Sequence, residues 1–210
     1  MATLHVPIGD VAEVLPGYAV KGRVEDEANG RYQLIQGRHL SPGQPYRYRA
    51  QDALCITPRR HVERYLVAPG DVLLASRGNV NYAVEIEAVP PQTIAPATFY
   101  ILRPRGDLIT NGYVPSYLAW VLGQPPIQAQ IAQLRTSAAT PIVQREDFNR
   151  VMIPLPPLEE QSRIARLAGL MQRERSLLDQ LTAATDRRHD AIGTTLLQGR
   201  LSPESGPTPS

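Results

Sequence analysis

A proline-rich stretch followed by a long helical pattern constrains the fold of this chain more than any other feature. Three prolines fall within residues 154–157, and each fixes φ and removes a backbone hydrogen-bond donor. Such a stretch suits neither a helix interior nor a central strand, so we predict a stiff, extended hinge over residues 153–158. The acidic residues at 159 and 160 then favour a helix N-terminus, where the helix dipole stabilises negative charge.

This hinge divides the 210 residues into four predicted parts. Residues 1–152 form a globular domain, 153–158 the hinge, 159–200 a long helix, and 201–210 a disordered tail. In the globular part, alternation and short apolar runs predict strands, and wider spacing predicts helices. The predicted strands cover residues 31–36, 72–75, 83–87 and 97–102, and the predicted helices cover 7–15, 117–122 and 127–134. The mixture predicts an α+β fold.

The long helix carries an apolar stripe that must be buried against a partner. A heptad frame starting at Ile164 places apolar side chains at six of nine seam positions. At ~1.5 Å per residue, 40 residues reach about 60 Å, which exceeds what a small domain can cover, so we expect a second helix as the partner. Packing against the chain's own domain is the alternative. The predicted dimerisation residues are Ile164, Leu167, Met171, Leu178, Leu181 and Ile192.

Positive charge is concentrated in one segment although the whole chain has a net charge of only +2. Residues 31–105 hold ten arginines and five acidic residues, a local net charge of +5. The planar fork of arginine suits phosphate groups and guanine edges. A codon bias toward arginine would give the same count, because Lys21 is the only lysine in the chain. Both interpretations stay open at this point.

Two loops in this segment have the composition of nucleic-acid contacts. Residues 41–49 interleave two tyrosines with two arginines, which suits a phosphate backbone. Residues 76–81 follow a short apolar run and contain Arg77, Asn79 and Asn81; arginine can read guanine and asparagine can read adenine through paired hydrogen bonds. Ordinary solvated loops or turns are the alternative for both.

Catalytic and metal-binding patterns are missing from the sequence. It contains no glycine-rich phosphate loop, nucleophile elbow or paired-acid motif, and its four histidines are scattered. The single cysteine, Cys55, excludes an internal disulfide and a cysteine-based zinc site. We therefore expect a non-catalytic protein without metal or cofactor. No run of about 18 apolar residues predicts a membrane span, and no signal sequence follows Met1, so we expect a cytoplasmic protein.

The chain resembles the specificity subunit of type I restriction-modification systems, a class of phage-defence complexes. The resemblance rests on residues 153–161 (IPLPPLEEQ) followed by Ile164-Ala165, which look like that family's junction between target-recognition domain and conserved helix. Weaker support comes from residues 68–78, 32–37 and 8–12. The similarity extends over residues 6–198, but this chain holds one domain and one helix and so resembles half of a subunit.

The resemblance implies a non-catalytic DNA-recognition protein. In that family, two target-recognition domains each read one half of a split DNA sequence, and two long antiparallel helices hold them apart and bind the methyltransferase subunits. By implication, two copies of this chain pair through residues 159–198, or one copy pairs with another half-subunit. S-adenosylmethionine is expected on the partner methyltransferase subunit. The resemblance leaves open whether a restriction subunit joins the complex.

The same resemblance gives roles to the arginine-rich segment. Base or near-base contacts are expected from Arg77, Asn79 and Asn81, and a further DNA contact is expected from the loop 136–140. Phosphate contacts are expected from Arg47, Arg49, Arg59 and Arg60. The predicted DNA-binding residues are Arg38, Arg47, Arg49, Arg59, Arg60, Arg77, Asn79, Asn81, Arg103 and Arg105. The alternative function is a coiled-coil adaptor or regulatory protein, which binds a protein partner through the helix and does not read DNA.

Overall fold

The computed structural model describes residues 4–20, 22, 24–58, 61–105 and 113–199. The chain separates into two compact units, Met1–Gly169 and Leu170–Ser210. The described strands are β1 (Leu4–Pro7), β2 (Ala12–Pro16), β3 (Tyr32–Leu34), β4 (Tyr46–Arg47), β5 (Cys55–Ile56), β6 (Val72–Ala75), β7 (Ala83–Ala88), β8 (Thr93–Ile94), β9 (Phe99–Pro104) and β10 (Met152–Leu155). The helices are α1 (Ile8–Val11), α2 (Pro115–Leu122), α3 (Pro125–Gln133), α4 (Arg145–Phe148) and α5 (Leu158–Leu197). The predicted α+β class is confirmed.

A five-stranded sheet in the order β2-β9-β6-β7-β4 organises the first unit. The continuous apolar run of β6 forms its middle strand, with antiparallel neighbours β9 and β7. Because side chains alternate across a strand, Val72 and Leu74 enter one core, which includes α2, while Leu73 and Ala75 enter a second core on the opposite face. Burial on both faces explains why this strand reads as an unbroken apolar run.

A second, three-stranded sheet in the order β5-β3-β8 has its own small core. Tyr18 and Tyr65 meet there edge to face, with ring centroids 5.5 Å apart. The predicted strand over residues 31–36 therefore exists, but it is shorter than predicted, Tyr32–Leu34.

The N-terminal prediction was wrong in part. Residues 7–15 were predicted as one helix, but only α1 is helical, and strands β1 and β2 flank it. In β2 the residues Ala12 and Val14 are buried while Glu13 is exposed, which is a period of two, and β9 pairs with them. Strand pairing thus overrides the weak helical spacing. Helices α2 and α3 begin two residues earlier than predicted, because Pro115 and Pro125 occupy first-turn positions that tolerate proline.

The proline-rich stretch is extended, as the sequence suggests, and it is also paired. Strand β10 lies antiparallel to β1, with Ile153 opposite Val6 and Pro154 opposite His5. Proline is tolerated in such a two-stranded sheet because a strand edge does not require every backbone donor. The first residues of the predicted hinge are therefore held by a strand partner.

The first turns of α5 belong to the globular unit. Gln161 is 1% exposed, its Oε1 accepts from the Val114 backbone N–H at 2.8 Å, and its Nε2 donates to the Pro156 carbonyl at 2.8 Å. Ile164 and Ala165 pack against the main core. In the second unit α5 continues to Leu197 with its leucines exposed. No helix among the described residues is long and apolar enough to cross a membrane.

Candidate nucleic-acid interface

Most of the predicted DNA-binding residues that the structure describes fall at two ends of strand β7. The turn Ser76–Asn81, called here the 76–81 turn, joins β6 to the start of β7, whereas Arg47 in β4 is in register with Ala88 at its end. Six residues of strand span roughly 17 Å. The structure therefore forms two separate groups from these residues, one around Arg77 and one around Arg47.

The 76–81 turn is buried at its ends and exposed in its middle. Ser76 is 2% exposed and Asn81 is fully buried, whereas Arg77, Asn79 and Val80 are exposed. Gly78 adopts a φ of +90°, a left-handed conformation that favours glycine. Because both ends are buried and Gly78 is left-handed, the side chains of Arg77, Asn79 and Val80 are exposed to solvent.

The residues 136–141, called here the 136–141 loop, lie directly beside this turn. The Gly78 N–H donates to the Pro141 carbonyl at 2.9 Å, and the Val143 N–H donates to the Ser76 carbonyl at 3.0 Å. An isolated bridge also pairs Arg77 with Ile142. Two segments that were predicted independently, about 60 positions apart in the chain, are thus brought together.

Asn81 was predicted to contact a base, but the structure gives its side chain another role. Its Nδ2 donates to the Ala75 carbonyl at 2.7 Å, and its Oδ1 accepts from Arg135 Nε at 2.8 Å. Its backbone carbonyl accepts from Gln128 Nε2 at 2.7 Å. Because the amide is buried and bonded at both atoms, it is not free to meet a base. Arg135 was missed, since nothing in the sequence links it to a residue 54 positions earlier.

Arg38, Arg47 and Arg49 line one polar cavity of about 310 Å³, together with His39, Ser41, Gln44, Pro45, Tyr46, Gln51 and Asp52. Asp52 is buried at the edge of this cavity, and its Oδ2 accepts a hydrogen bond from the Arg49 backbone N–H at 3.2 Å. Burial, with the neighbouring Asp52 carboxylate, raises the pKa of the Tyr46 phenol. Arg47 pairs with Glu87 through two hydrogen bonds, which also raises the pKa of the Arg47 guanidinium.

Arg103 and Arg105 lie apart from both groups of side chains. The Arg103 guanidinium binds both carboxylate oxygens of Asp71, at 3.0 and 2.7 Å, and the Leu66 carbonyl at 2.7 Å. Its hydrogen bonds to Asp71 raise its pKa, and they leave it a structural role in place of the predicted DNA contact. Arg105 is exposed and donates from Nε to the Gly9 carbonyl at 2.9 Å. Arg59 and Arg60 lie outside the described residues.

Tyr100 is hydrogen-bonded to the segment that precedes Arg145 in the chain. Its hydroxyl donates to the Val143 carbonyl at 2.7 Å, and its pKa is raised chiefly by burial, with a smaller effect of Glu146 in the same direction. Arg145 and Arg77 act in the opposite direction on the pKa of this phenol. Arg145 also follows, by two residues, Val143, whose N–H donates to the Ser76 carbonyl of the turn. The sequence around Arg145 indicated only the approach to the hinge, and it carried no signal for this placement.

The predicted dimerisation residues are exposed, with one exception. Leu167, Met171, Leu178, Leu181 and Ile192 are between 47% and 64% exposed, as an unpaired helix face would be. Ile164 packs instead against the core of the first unit, so it is not available for a seam. In the second unit the stripe forms a shallow apolar groove lined by Leu170, Arg173, Glu174, Leu177, Leu178 and Leu181.

The histidines do not converge on one site. His5 lies in β1 and His189 on α5, while His61 is exposed. His39 Nδ1 lies 3.6 Å from Asp52 Oδ1 in the arginine-lined cavity. In the part of the chain that the structure describes, no group of three or more His, Cys, Asp or Glu side chains could hold a metal ion.

Sequence comparison gives no match: no protein-family model and no curated protein sequence matches the chain. Structural comparison does. A chain of the type I restriction-modification system, solved to explain its assembly and conformational transition, aligns with a TM-score of 0.67 and 21% identity, over 93% of this chain and 44% of its own length. The HsdS subunit from Thermoanaerobacter tengcongensis aligns with a TM-score of 0.58 and 22% identity, over 94% and 45%.

The type I S subunit from M. genitalium aligns with a TM-score of 0.57 and 12% identity, over 93% of this chain and 46% of the subunit. This chain therefore spans less than half the length of the structures that it matches. Nearly all of it is aligned in each case, from the globular unit into the long helix. The chain has the fold of one half of a type I restriction-modification specificity subunit.

Proposed function

We propose that this chain is a non-catalytic half-subunit that recognises one half of a split DNA target for a type I restriction-modification methyltransferase. The observation that carries the proposal is the coverage of the structural matches, 93–94% of this chain against 44–46% of the matched chains. One recognition domain and one helix are what half of such a subunit would contain. In this proposal a second copy of the chain, or another half-subunit, supplies the other half.

The exposed stripe of α5 supports pairing with a second copy. Burying a leucine contributes about 1.5–3 kcal/mol, so several paired leucines supply enough free energy for a stable dimer. An antiparallel register pairs Leu178 with Leu181 of the second copy and Leu167 with Ile192. With Ile164 left out because the domain core covers it, this register pairs more apolar seam positions than any other shift by whole heptads. The pair has two-fold symmetry, so its DNA half-sites are the same sequence in inverted orientation.

The two groups of side chains around β7 divide the expected DNA contacts. Arg77 and Asn79 on the 76–81 turn are assigned to base edges, for which their side chains have the donors and acceptors. The exposed arginines around the polar cavity and Arg145 are assigned to phosphates, which fix position without reading sequence. The contacts of Asn81 and Arg103 within the domain remove these two residues from the predicted set.

Catalysis is assigned to a partner. The methyltransferase subunit, with S-adenosylmethionine, supplies the methyl transfer, and this chain supplies the choice of site. The restriction-modification chain that aligns with a TM-score of 0.67 was solved to explain complex assembly, which is consistent with partner subunits. The adaptor alternative uses the same exposed helix but leaves the arginine groups without a role.

Methylome sequencing of a host that expresses this chain with its methyltransferase subunit tests the proposal. We expect methylation at an interrupted palindrome that is absent from a host expressing the methyltransferase alone. A continuous motif would exclude the paired half-subunits, and unchanged methylation would favour the adaptor. The logarithm of the binding constant of the purified complex for duplex DNA should also fall linearly with the logarithm of the salt concentration. Each phosphate contact should contribute about 0.9 to the slope.

A further inference from the structure

The 76–81 turn and the 136–141 loop are connected by a closed series of contacts. Asn81 bonds to Ala75 at the end of β6 and to Arg135, which follows α3 and precedes the 136–141 loop. The loop in turn accepts from the Gly78 N–H through the Pro141 carbonyl. Moving either segment would break a contact of the other, so they act as one element.

Burial makes the Arg135–Asn81 contact strong. Asn81 is 0% exposed and Arg135 is half-buried, and their 2.8 Å hydrogen bond joins a cationic donor to an amide oxygen. Charge-assisted hydrogen bonds of this kind are roughly twice as strong as neutral ones. Without Arg135, the buried Asn81 side-chain oxygen would lose this donor, and the turn would keep only the Gln128 contact to the Asn81 backbone carbonyl on this side.

The element presents a mixed set of groups to solvent. Arg77 offers a guanidinium, Asn79 an amide and Val80 an isopropyl group, and residues 137–140 beside them are small and exposed. Val80 is 65% exposed. A single exposed valine is ordinary in a surface turn. Here it follows an arginine and an asparagine in a fixed turn, so the turn presents three kinds of side chain that can each contact a base in the major groove. Guanine, adenine and the thymine 5-methyl group are read by these three kinds of side chain.

We propose that this turn and loop form a single recognition element, in which Val80 contacts the 5-methyl group of a thymine and Arg135 and Asn81 are positioning residues. The inference rests on the proposed function and deepens it, because it names a base feature in the half-site and the residues that hold its reader. Arg135 acts through Asn81 and does not itself contact DNA.

Uracil substitution tests the Val80 contact in the complex with the methyltransferase. Each thymine of one half-site is replaced in turn by deoxyuridine, which removes only the methyl group. We expect one position at which wild-type binding falls about fourfold, the value for one methyl group leaving an apolar contact. The variant Val80→Ala should bind the thymine and uracil duplexes equally at that position. Absence of a sensitive position, or sensitivity that persists in Val80→Ala, overturns the contact.

Arg135→Met tests the positioning role, because methionine keeps much of the side-chain length without the donor. Discrimination at the bases contacted by the turn should relax about tenfold, while the slope of affinity against salt stays at the wild-type value. A direct phosphate contact would instead lower affinity for every sequence and reduce the slope by about 1, which would overturn the assignment. Arg135→Gln, which keeps an amide donor without charge, should restore part of the discrimination.

Two controls keep the outcomes distinct. Arg150→Gln removes an exposed arginine whose side chain is 82% accessible, and it should leave discrimination unchanged. Thermal unfolding of each variant shows whether the domain remains folded, and the uracil experiment on wild-type protein does not depend on any variant. If the wild-type complex binds no split target, the proposed function fails; if it binds and these results are not obtained, only the inference fails.

Discussion

The two units of the molecule treat their apolar side chains in opposite ways. In Met1–Gly169, strand β6 is buried on both faces, and Leu73 and Leu74 are fully inaccessible. In Leu170–Ser210, leucines such as Leu178 and Leu181 are more than half exposed, although they repeat at seam spacing. The first unit completes its own core, whereas the second leaves its stripe uncovered. Because of this difference, a substitution can destabilise the core of the first unit or disrupt pairing through the stripe of the second unit, each without the other.

The largest effect is expected from the double variant Leu178→Arg and Leu181→Arg. Four seam leucines of a symmetric dimer are lost and like charges are placed together, so pairing should weaken by at least about 100-fold. Analytical ultracentrifugation should show monomers, and the thermal transition of the globular unit should stay within the wild-type range. Gln180→Arg adds one arginine outside the predicted seam and should leave the dimer intact. A dimeric double variant would show that the stripe does not hold the pair.

Leu73→Ala should lower the stability of the globular unit and leave pairing unchanged, the reverse of what is expected for the double leucine variant. Removing a fully buried leucine from the middle strand costs about 2–5 kcal/mol of unfolding free energy, including the cavity that it leaves. Denaturant unfolding should show this loss in the globular unit, while sedimentation of the folded protein still shows pairing. Loss of pairing at temperatures where the domain is folded would contradict the separation of the two units.

Gln161→Ala addresses the junction. The variant leaves the N–H of the half-buried Val114 and the carbonyl of the buried Pro156 without their present partner, which should cost about 1–3 kcal/mol. Calorimetry of the full chain measures the loss. Glu160→Ala, one residue earlier and exposed, should change stability by about 0.5 kcal/mol or less. Equal effects of the two substitutions would show that Gln161 does not anchor the helix.

The smallest effect is expected at Arg47. Arg47→Ala should lower affinity for all DNA sequences by a few-fold and reduce the salt slope by about 1, without a change in stability. Glu87→Gln removes the carboxylate that pairs with Arg47 and should raise affinity, because the guanidinium is then free to meet a phosphate. Filter binding at several salt concentrations measures both variants. Lower affinity in Glu87→Gln would contradict the phosphate assignment.

The sequence predicted those parts of the molecule that local patterns determine. The apolar run 72–75 became a buried strand, and the heptad pattern became one helix from Leu158 to Leu197, because burial and periodicity act over neighbouring residues. The proline-rich stretch was predicted as extended, but its pairing with β1 depends on residues about 150 positions away. Local patterns could not show that partner.

The candidate site was harder to predict because side-chain partners decide availability. Arg77, Arg103 and Asn81 all occur in a basic or polar context, yet only Arg77 is directed to solvent. Asp71 and Arg135 decide the roles of Arg103 and Asn81, and both are brought near by the fold. Ile164 fits the heptad frame, but it packs against the domain core and is therefore not available to a second helix.

The pairing of β1 with β10 has a consequence for how new specificities could arise. Strand β1 is the first described element of the globular unit, and β10 leads into the anchored first turns of α5. The two strands lie side by side, with Leu4 opposite Leu155. The residues between β1 and β10 in the chain, including the 76–81 turn and the 136–141 loop, therefore form a segment whose two ends are adjacent. Domains whose ends are adjacent tolerate insertion and exchange. Recombination of residues 12–150 between such chains would exchange the 76–81 turn and the 136–141 loop, the proposed recognition element, while β1, β10 and the first turns of α5 stay constant.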